Sequence, residues 1–130
     1  MPCRKGFTLM EIVVVLIIIG VVASVTLPNF NASTQQAYGQ TARNNLRAIY
    51  SAQVNHFNDQ NSYCIASCGN LSAINTSLNL NIADSVYQYS CISDVSGFLC
   101  KATNGSTTLT IQNGVNGNPD CYGPYCPSLN

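Results

Sequence analysis

The sequence has little charge, a single histidine and no combination of residues that suggests catalysis. Only 8% of its 130 residues are charged, and five basic side chains balance five acidic ones. Without an excess of basic side chains, charge alone does not indicate binding to nucleic acid. The lone His56 has no nucleophile motif beside it, and the sequence contains no phosphate-binding glycine loop. We therefore expect a protein that is not an enzyme and needs no cofactor.

The sequence has one long, largely hydrophobic stretch near the N-terminus. As a helix, the segment from Phe7 to Leu27 would be about 31 Å long, enough to cross the hydrocarbon core of a membrane. Because Arg4 and Lys5 precede it, the N-terminus is expected to stay in the cytoplasm. Glu11 is the one charged residue inside the segment. A carboxylate in hydrocarbon is costly, so its presence indicates a functional partner.

Three interpretations of this segment compete. It is a signal peptide cut near Val21-Val22-Ala23, a plain membrane anchor, or a helix that stays on the mature protein after a cut directly behind Gly6. A cleaved signal peptide or a plain membrane anchor has no use for a carboxylate at Glu11. The third supplies a counter-ion, because the cut frees the α-amino group of Phe7, which is normally cationic.

The residues that carry a family resemblance lie at this cut. The segment Lys5–Glu11, KGFTLME, with the Val/Ile/Leu run behind it, resembles the class III signal of type IV pilins and type II secretion pseudopilins. The resemblance implies that prepilin peptidase cleaves between Gly6 and Phe7 and that Phe7 is N-methylated. It also implies that Glu11 pairs with the Phe7 amine of a neighbouring subunit during filament assembly.

We divide the chain into a leader peptide at residues 1–6, a transmembrane and filament-core half-helix at residues 7–28, and an extracytoplasmic head at residues 29–130. Gly20 and Pro28 are the expected kink positions, because an internal proline removes a helical hydrogen bond. Helical periodicity resumes after Pro28 in one stripe: Ala42, Leu46, Ile49, Gln53 and Phe57. A single kinked or partly melted helix to about Asn58 is therefore favoured over two separate helices.

Arg43 and Arg47 lie four residues apart on the side of the helix opposite this stripe. We interpret them as part of a solvated face, with a nearby acidic group as the alternative. His56 lies near the end of the predicted helix and is expected to be a surface or capping residue.

Alternating apolar residues beyond the helix predict three short strands. The alternating sets are Tyr87, Tyr89 and Cys91; Phe98 and Cys100; Leu109 and Ile111. A hairpin signal at residues 104–106 separates the second and third sets. The predicted fold class is α+β and pilin-like, with a long N-terminal helix packed on a small antiparallel meander in a disulfide-stapled head. The Gly/Pro-rich tail from residue 116 onward is expected to form neither strand nor helix.

The cysteine count agrees with the predicted cut. Cys3 lies in the leader, so cleavage leaves 7 − 1 = 6 cysteines on the side of the membrane where disulfides persist. Fifteen connectivities are open. We favour the three local pairs: Cys64–Cys68, Cys91–Cys100 and Cys121–Cys126. The first and last pairs also have spacings found in zinc sites, but the oxidising compartment and the lack of histidine partners favour disulfides and no metal.

The resemblance implies a structural subunit of a type IV pilus. Such a subunit is anchored in the bacterial inner membrane with its N-terminus cytoplasmic. The pilus assembly machinery then adds it to an extracellular filament of identical subunits that serves adhesion, motility or DNA uptake. DNA or a host surface are open as partners of the head. The alternatives are a pseudopilin of a type II secretion system and a membrane-anchored or secreted disulfide-rich binding module.

Overall fold

The computed structural model describes residues 6–95, 97–114 and 116–127, of which residues 26–29 are described by their backbone alone. Two compact units divide between Thr34 and Gln35, and one long helix contributes to both. The elements in chain order are α1 (Leu9–Gln60), α2 (Leu71–Ser77), β1 (Gln88–Asp94), β2 (Gly97–Thr103), β3 (Thr108–Gln112) and β4 (Asp120–Tyr122). The predicted α+β fold class is confirmed.

The helix α1 is kinked near Pro28, as predicted. Its segments Leu9–Val25 and Phe30–Gln60 meet at residues 26–29, where the backbone remains helical. Gly20 lies inside the first segment, and its contribution to the kink stays a prediction. The helix ends within the predicted region. Asn61 adopts a positive φ of 52° there, and its N–H donates to the Phe57 carbonyl at 2.8 Å, a common way to terminate a helix.

The unit from Gln35 onward is built around an antiparallel meander in the order β1-β2-β3-β4. The predicted strand faces are confirmed, because every residue assigned to them is buried. Four members of the predicted helix stripe are also buried, whereas Phe57 is 36% exposed. Residues of α1, α2 and the sheet share one hydrophobic cluster, centred on the fully buried side chains Leu46, Ile49, Ile74, Phe98 and Leu109.

One element contradicts an expectation from the sequence, and another was not anticipated. The tail was expected to lack strands, yet Asp120–Tyr122 pairs with β3, with Cys121 opposite Leu109. This three-residue run is free of glycine and proline, and it completes the edge of the sheet that β3 would otherwise expose. The helix α2 was also missed. Its start is fixed by Asn70, whose Oδ1 accepts a hydrogen bond from Ala73 N at 2.9 Å.

Candidate functional site

The predicted processing site lies just before the first turn of α1. Gly6, Phe7 and Thr8 are non-helical, and Phe7 is 77% exposed. A Cβ added at Gly6 would meet nothing within 4 Å. The bond between Gly6 and Phe7 is therefore exposed in a segment that precedes the helix. The remainder of the predicted leader, residues 1–5, lies outside the described residues.

Thr8 caps the helix by a hydrogen bond to Glu11. Thr8 Oγ1 accepts from the Glu11 N–H at 3.3 Å, and the Thr8 carbonyl accepts from the same N–H at 3.1 Å. A threonine followed three residues later by a glutamate is the capping-box pattern, and the threonine half of it is formed here. The Glu11 carboxylate lies in the first turn, where the helix dipole favours negative charge. Sequence reasoning identified Glu11 but not the capping role of Thr8.

The helix surface beyond Glu11 is apolar on every side. The described side chains from Phe7 to Val25 are all exposed, with Leu9 at 80% and Val25 at 68%. A helix that is hydrophobic all round requires apolar surroundings. In the described part of the chain, no single helix meets the length and hydropathy expected of a membrane span. The bent pair Leu9–Val25 and Phe30–Gln60 meets them together.

The Glu11 carboxylate has no hydrogen bond or ion pair within the described residues of its own chain. The hydroxyl of Ser24, the other polar group late in this segment, is satisfied locally because it donates to the Val21 carbonyl at 2.8 Å. Among the described residues, the segment therefore presents one carboxylate without a partner in a largely apolar surface. This arrangement suits a cation supplied from outside the subunit.

The six cysteines predicted to remain after cleavage form three disulfides. They are Cys64–Cys68, Cys91–Cys100 and Cys121–Cys126, the local pairs favoured from the sequence. Cys91 and Cys100 occupy directly opposed positions on β1 and β2, and both are buried. The other two disulfides each close a short loop. Within the described residues, no group of three or more histidine, cysteine or acidic side chains is placed to hold a metal ion.

A partly buried polar network that was not anticipated from the sequence joins α1 to the sheet. The Tyr89 hydroxyl donates to Asp84 Oδ2 at 2.5 Å and accepts from Asn45 Nδ2 at 2.9 Å. Asp84 Oδ1 also accepts from the N–H groups of Val86 and Tyr87. Burial raises the pKa of Tyr89 well above its ordinary value, and the hydrogen bond to Asp84 raises it further. The network orders the chain entering β1.

The two helical arginines have different surroundings. Arg47 is exposed, as predicted, and its Nη2 donates to Asn118 Oδ1 at 2.7 Å. The prediction of a solvated Arg43 is wrong, because this side chain is only 5% exposed. The tail covers this part of α1: a Cβ added at Gly39, one turn earlier, would lie 3.1 Å from the Tyr125 carbonyl oxygen. The sequence of α1 contains no pattern that indicates that the C-terminal segment buries Arg43.

His56 does not belong to a catalytic set. Its Nδ1 lies 2.7 Å from the Ser62 carbonyl oxygen, just beyond the end of α1. An N–H at this position donates to the carbonyl and ties the helix end to the following loop. This is the capping role expected from the sequence.

Comparison with known proteins agrees with the N-terminal motif. Residues 1–27 match the prokaryotic N-terminal methylation motif. The chain is 37% identical over 62 residues to the type IV major pilin protein PilA of Myxococcus xanthus, covering 48% of this chain and 28% of that protein. It is 38% identical over 60 residues to the type II secretion system core protein G of Pectobacterium carotovorum, covering 46% of this chain and 38% of that protein. Identity to core protein G of Escherichia coli is 43% over 49 residues, covering 38% of this chain and 34% of that protein.

The chain thus spans between 28% and 38% of the length of these relatives. No solved structure matches it. The chain thus carries a class III prepilin leader with the N-terminal methylation motif, and it is similar both to a type IV pilin and to type II secretion core G proteins.

Proposed function

We propose that this chain is the structural subunit of a type IV pilus. The observation that carries the proposal is the apolar surface from Leu9 to Val25, which is exposed on all sides and contains the single carboxylate of Glu11. In the inner membrane, lipid covers this surface. In a filament, equivalent helices of other subunits cover it, so assembly exchanges lipid contacts for helix–helix contacts.

The processing step would create the partner of Glu11. Cleavage between Gly6 and Phe7 by prepilin peptidase leaves an ammonium group on Phe7, two residues before the helix begins at Leu9. We propose that this group, which is then N-methylated, pairs with Glu11 of a neighbouring subunit. A buried ion pair adds little net stability, but breaking it is costly, so it favours one axial register over others.

The test compares Glu11→Ala with Met10→Ala in cells that express the chain as their only copy. Met10 is the matched control, since it lies in the same helical turn and is 70% exposed. We expect both variants to insert in the membrane and to be cleaved to a methylated Phe7, as read by N-terminal mass spectrometry. Filament yield should fall about tenfold or more for Glu11→Ala, because one unpaired charge remains in an apolar core.

A normal yield of filaments from Glu11→Ala would overturn the pairing of Glu11 with the Phe7 amine. A mature N-terminus at Ser24 would overturn the pilus proposal itself, since a cut there would remove the apolar segment and indicate a secreted protein instead.

A second candidate is a pseudopilin of a type II secretion system. It is favoured by the identity of 38% and 43% to two core G proteins of such systems. Deletion of the chain distinguishes the two candidates. Loss of surface filaments that contain this chain supports the pilus, whereas loss of exoprotein secretion without any filament loss supports the pseudopilin.

A further inference from the structure

A small pocket of about 250 Å³ lies between α1 and the C-terminal segment, within the unit that begins at Gln35. It is lined by Arg43 of the helix and by six residues of the segment Pro119–Pro127. The Cys121–Cys126 disulfide ties this segment into a loop, and β4 anchors the segment to the sheet. The walls of the pocket are therefore fixed by covalent and backbone links.

Arg43 is the unusual group in this pocket. Its side chain is 5% exposed, and its buried Nε has no hydrogen-bond partner in the described ranges. A buried cation that lacks a partner is costly, and native structures normally pair it with an anion. Asp120 also lines the pocket, but its side chain is exposed and forms no ion pair with Arg43 in the described part of the chain. Among the described residues, the pocket thus contains one buried arginine donor, Nε of Arg43, without a partner, and a guanidinium is suited to binding a carboxylate.

The chain itself contains a carboxylate in the complementary situation. Three of its five acidic residues have a role or an interaction already: Glu11 in the apolar segment, Asp84 in the polar network, and Asp94 in an interaction within its own chain. Asp120 is exposed in the pocket wall and forms no ion pair with Arg43 of its own chain among the described residues. Asp59 is exposed, and among the described residues it has no hydrogen bond or ion pair.

The position of Asp59 makes an external cation favourable. It lies in the last turn of α1, which contains no basic residue. The carbonyl groups at a helix C-terminus create a negative potential, so a carboxylate there is destabilised until a cation approaches. Arg43 and Asp59 of one chain lie sixteen residues apart on α1, or about 24 Å along a straight helix, and cannot pair with each other.

We propose that the Arg43 pocket receives the Asp59 carboxylate of a second copy of this chain. This inference rests on the proposed function, because it places the contact between heads of neighbouring subunits in a filament. Each subunit would then offer one cation and one anion to its neighbours, a head-to-tail contact that can repeat along a helical filament. The contact would fix the axial position of neighbouring subunits at a second place, in addition to the Glu11 pair in the apolar core.

The test is a zero-length crosslink in filaments made of the Arg43→Lys variant. The substituted side chain keeps the positive charge and supplies an amine that a carbodiimide joins to a nearby carboxylate with loss of water. Filaments are grown from a mixture of unlabelled and nitrogen-15-labelled subunits, and crosslinked peptides are identified by mass spectrometry. We expect a crosslink between the amine introduced at position 43 and Asp59 that joins peptides of unlike isotope content. Lys101, which is exposed, is the internal control for general reactivity.

Three results would overturn the inference. They are a crosslink from position 43 to Asp120 of the same copy, a crosslink to another protein, and no crosslink at position 43 in filaments where Lys101 has reacted. Absence of filaments from the unmodified chain would overturn the proposed function as well, whereas filaments without the expected crosslink overturn the inference alone.

Substitutions that remove the charge of Arg43 or Asp59, singly and together, test the same contact without a crosslinker. We expect Arg43→Gln and Asp59→Asn each to lower filament yield about tenfold, and the double variant to be no worse than the more severe single one, as for two partners of one contact. Arg47→Gln and Asp120→Asn are the matched controls, expected within about twofold of the unmodified chain. Multiplicative losses in the double variant, or a loss in Asp120→Asn equal to that in Asp59→Asn, would contradict the pairing.

Discussion

The side-chain amide of Gln53 makes two hydrogen bonds to the backbone of Cys64. Its Nε2 donates to the Cys64 carbonyl at 2.7 Å, and its Oε1 accepts from the Cys64 N–H at 2.8 Å. Gln53 is fully buried and Cys64 is 4% exposed. A loop buried against a helix has no ladder to satisfy its backbone groups, so a side chain must do so. Gln53 thereby fixes the Cys64–Cys68 loop to α1.

The first prediction is that Gln53→Leu destabilises the protein by about 2–4 kcal/mol, because it leaves a buried N–H and a buried carbonyl without partners. Leucine keeps most of the side-chain volume, so the effect isolates the hydrogen bonds. The measurement is the unfolding free energy of the full chain in detergent, from denaturant titration. Gln40→Leu is the control, since Gln40 is exposed on the same helix and its side chain bonds only Asn44, at 3.5 Å, among the residues that the structure describes. Equal changes for both variants would contradict this role.

The second prediction concerns Tyr89 at alkaline pH. Burial, and then the hydrogen bond to Asp84, raise the pKa of Tyr89, so the folded state keeps the phenol proton longer than the unfolded state does. An unfolded tyrosine ionises at about pH 10. The stabilisation is therefore complete below pH 10 and is lost as the pH rises towards the folded-state pKa. The limiting slope is about 1.4 kcal/mol per pH unit for one tyrosine.

Tyr89→Phe should make this alkaline slope shallower, as measured by denaturant unfolding at a series of pH values above 10. Part of the slope should remain, because burial and the charge of Asp84 also raise the pKa of Tyr87. Tyr122→Phe, which removes an exposed phenol, is the control and should leave the slope unchanged. An identical slope in Tyr89→Phe and the unmodified chain would argue against a raised pKa at this position.

The parts that sequence predicts well are those set by local pattern. Alternation located the buried faces of three strands, since residues such as Phe98 and Ile111 must point to one side of a sheet. Helical periodicity located Leu46 and Ile49 on the buried side of α1. The processing site and Glu11 could be predicted because their motif is contiguous in the sequence.

The parts that sequence predicts poorly depend on which distant segments meet. Arg43 was placed on a solvated face because nothing in the helix shows that the C-terminal segment covers it. The network of Asn45, Asp84 and Tyr89 joins residues up to 44 positions apart, and none of the three belongs to a recognisable motif. The strand β4 forms because β3 provides an edge to pair with, which the composition of the tail does not reveal.

The third prediction compares two disulfides. Replacing Cys91 and Cys100 by alanine should cost about 2 kcal/mol more than replacing Cys121 and Cys126. The sequence separations of 9 and 5 make the loop-entropy contributions similar, differing by about 0.5 kcal/mol. The main difference is burial, since Cys91 and Cys100 are at most 2% exposed, whereas Cys121 and Cys126 are only half-buried.

Denaturant unfolding gives the free energies, and intact mass before and after alkylation checks that the remaining two disulfides have formed. Equal costs would show that the buried pair contributes nothing through packing.

The fourth prediction concerns the close approach of Gly123 to the turn between β2 and β3. Gly123 has a φ of +131°, and an added Cβ would lie 2.6 Å from the Ser106 carbonyl oxygen and 2.8 Å from Thr107 Cα. Gly105, in the same turn, also has a positive φ, +92°, but an added Cβ would meet nothing within 4 Å. Both alanine variants carry backbone strain, and only Gly123→Ala adds a collision with backbone atoms. We expect Gly105→Ala to cost about 1 kcal/mol and Gly123→Ala about 2 kcal/mol more.

The collision at residue 123 would also displace the loop closed by Cys121 and Cys126. Because that loop lines the Arg43 pocket, Gly123→Ala should increase the exchange rate of amide protons in residues 120–122, as measured by hydrogen exchange. Gly105→Ala should leave those rates unchanged, since the open space around it lets the turn accept a methyl group. Equal losses of unfolding free energy and equal exchange rates in the two variants would show that Gly123 does not pack closely against the turn. In that case β4, rather than this contact, would hold the loop in place.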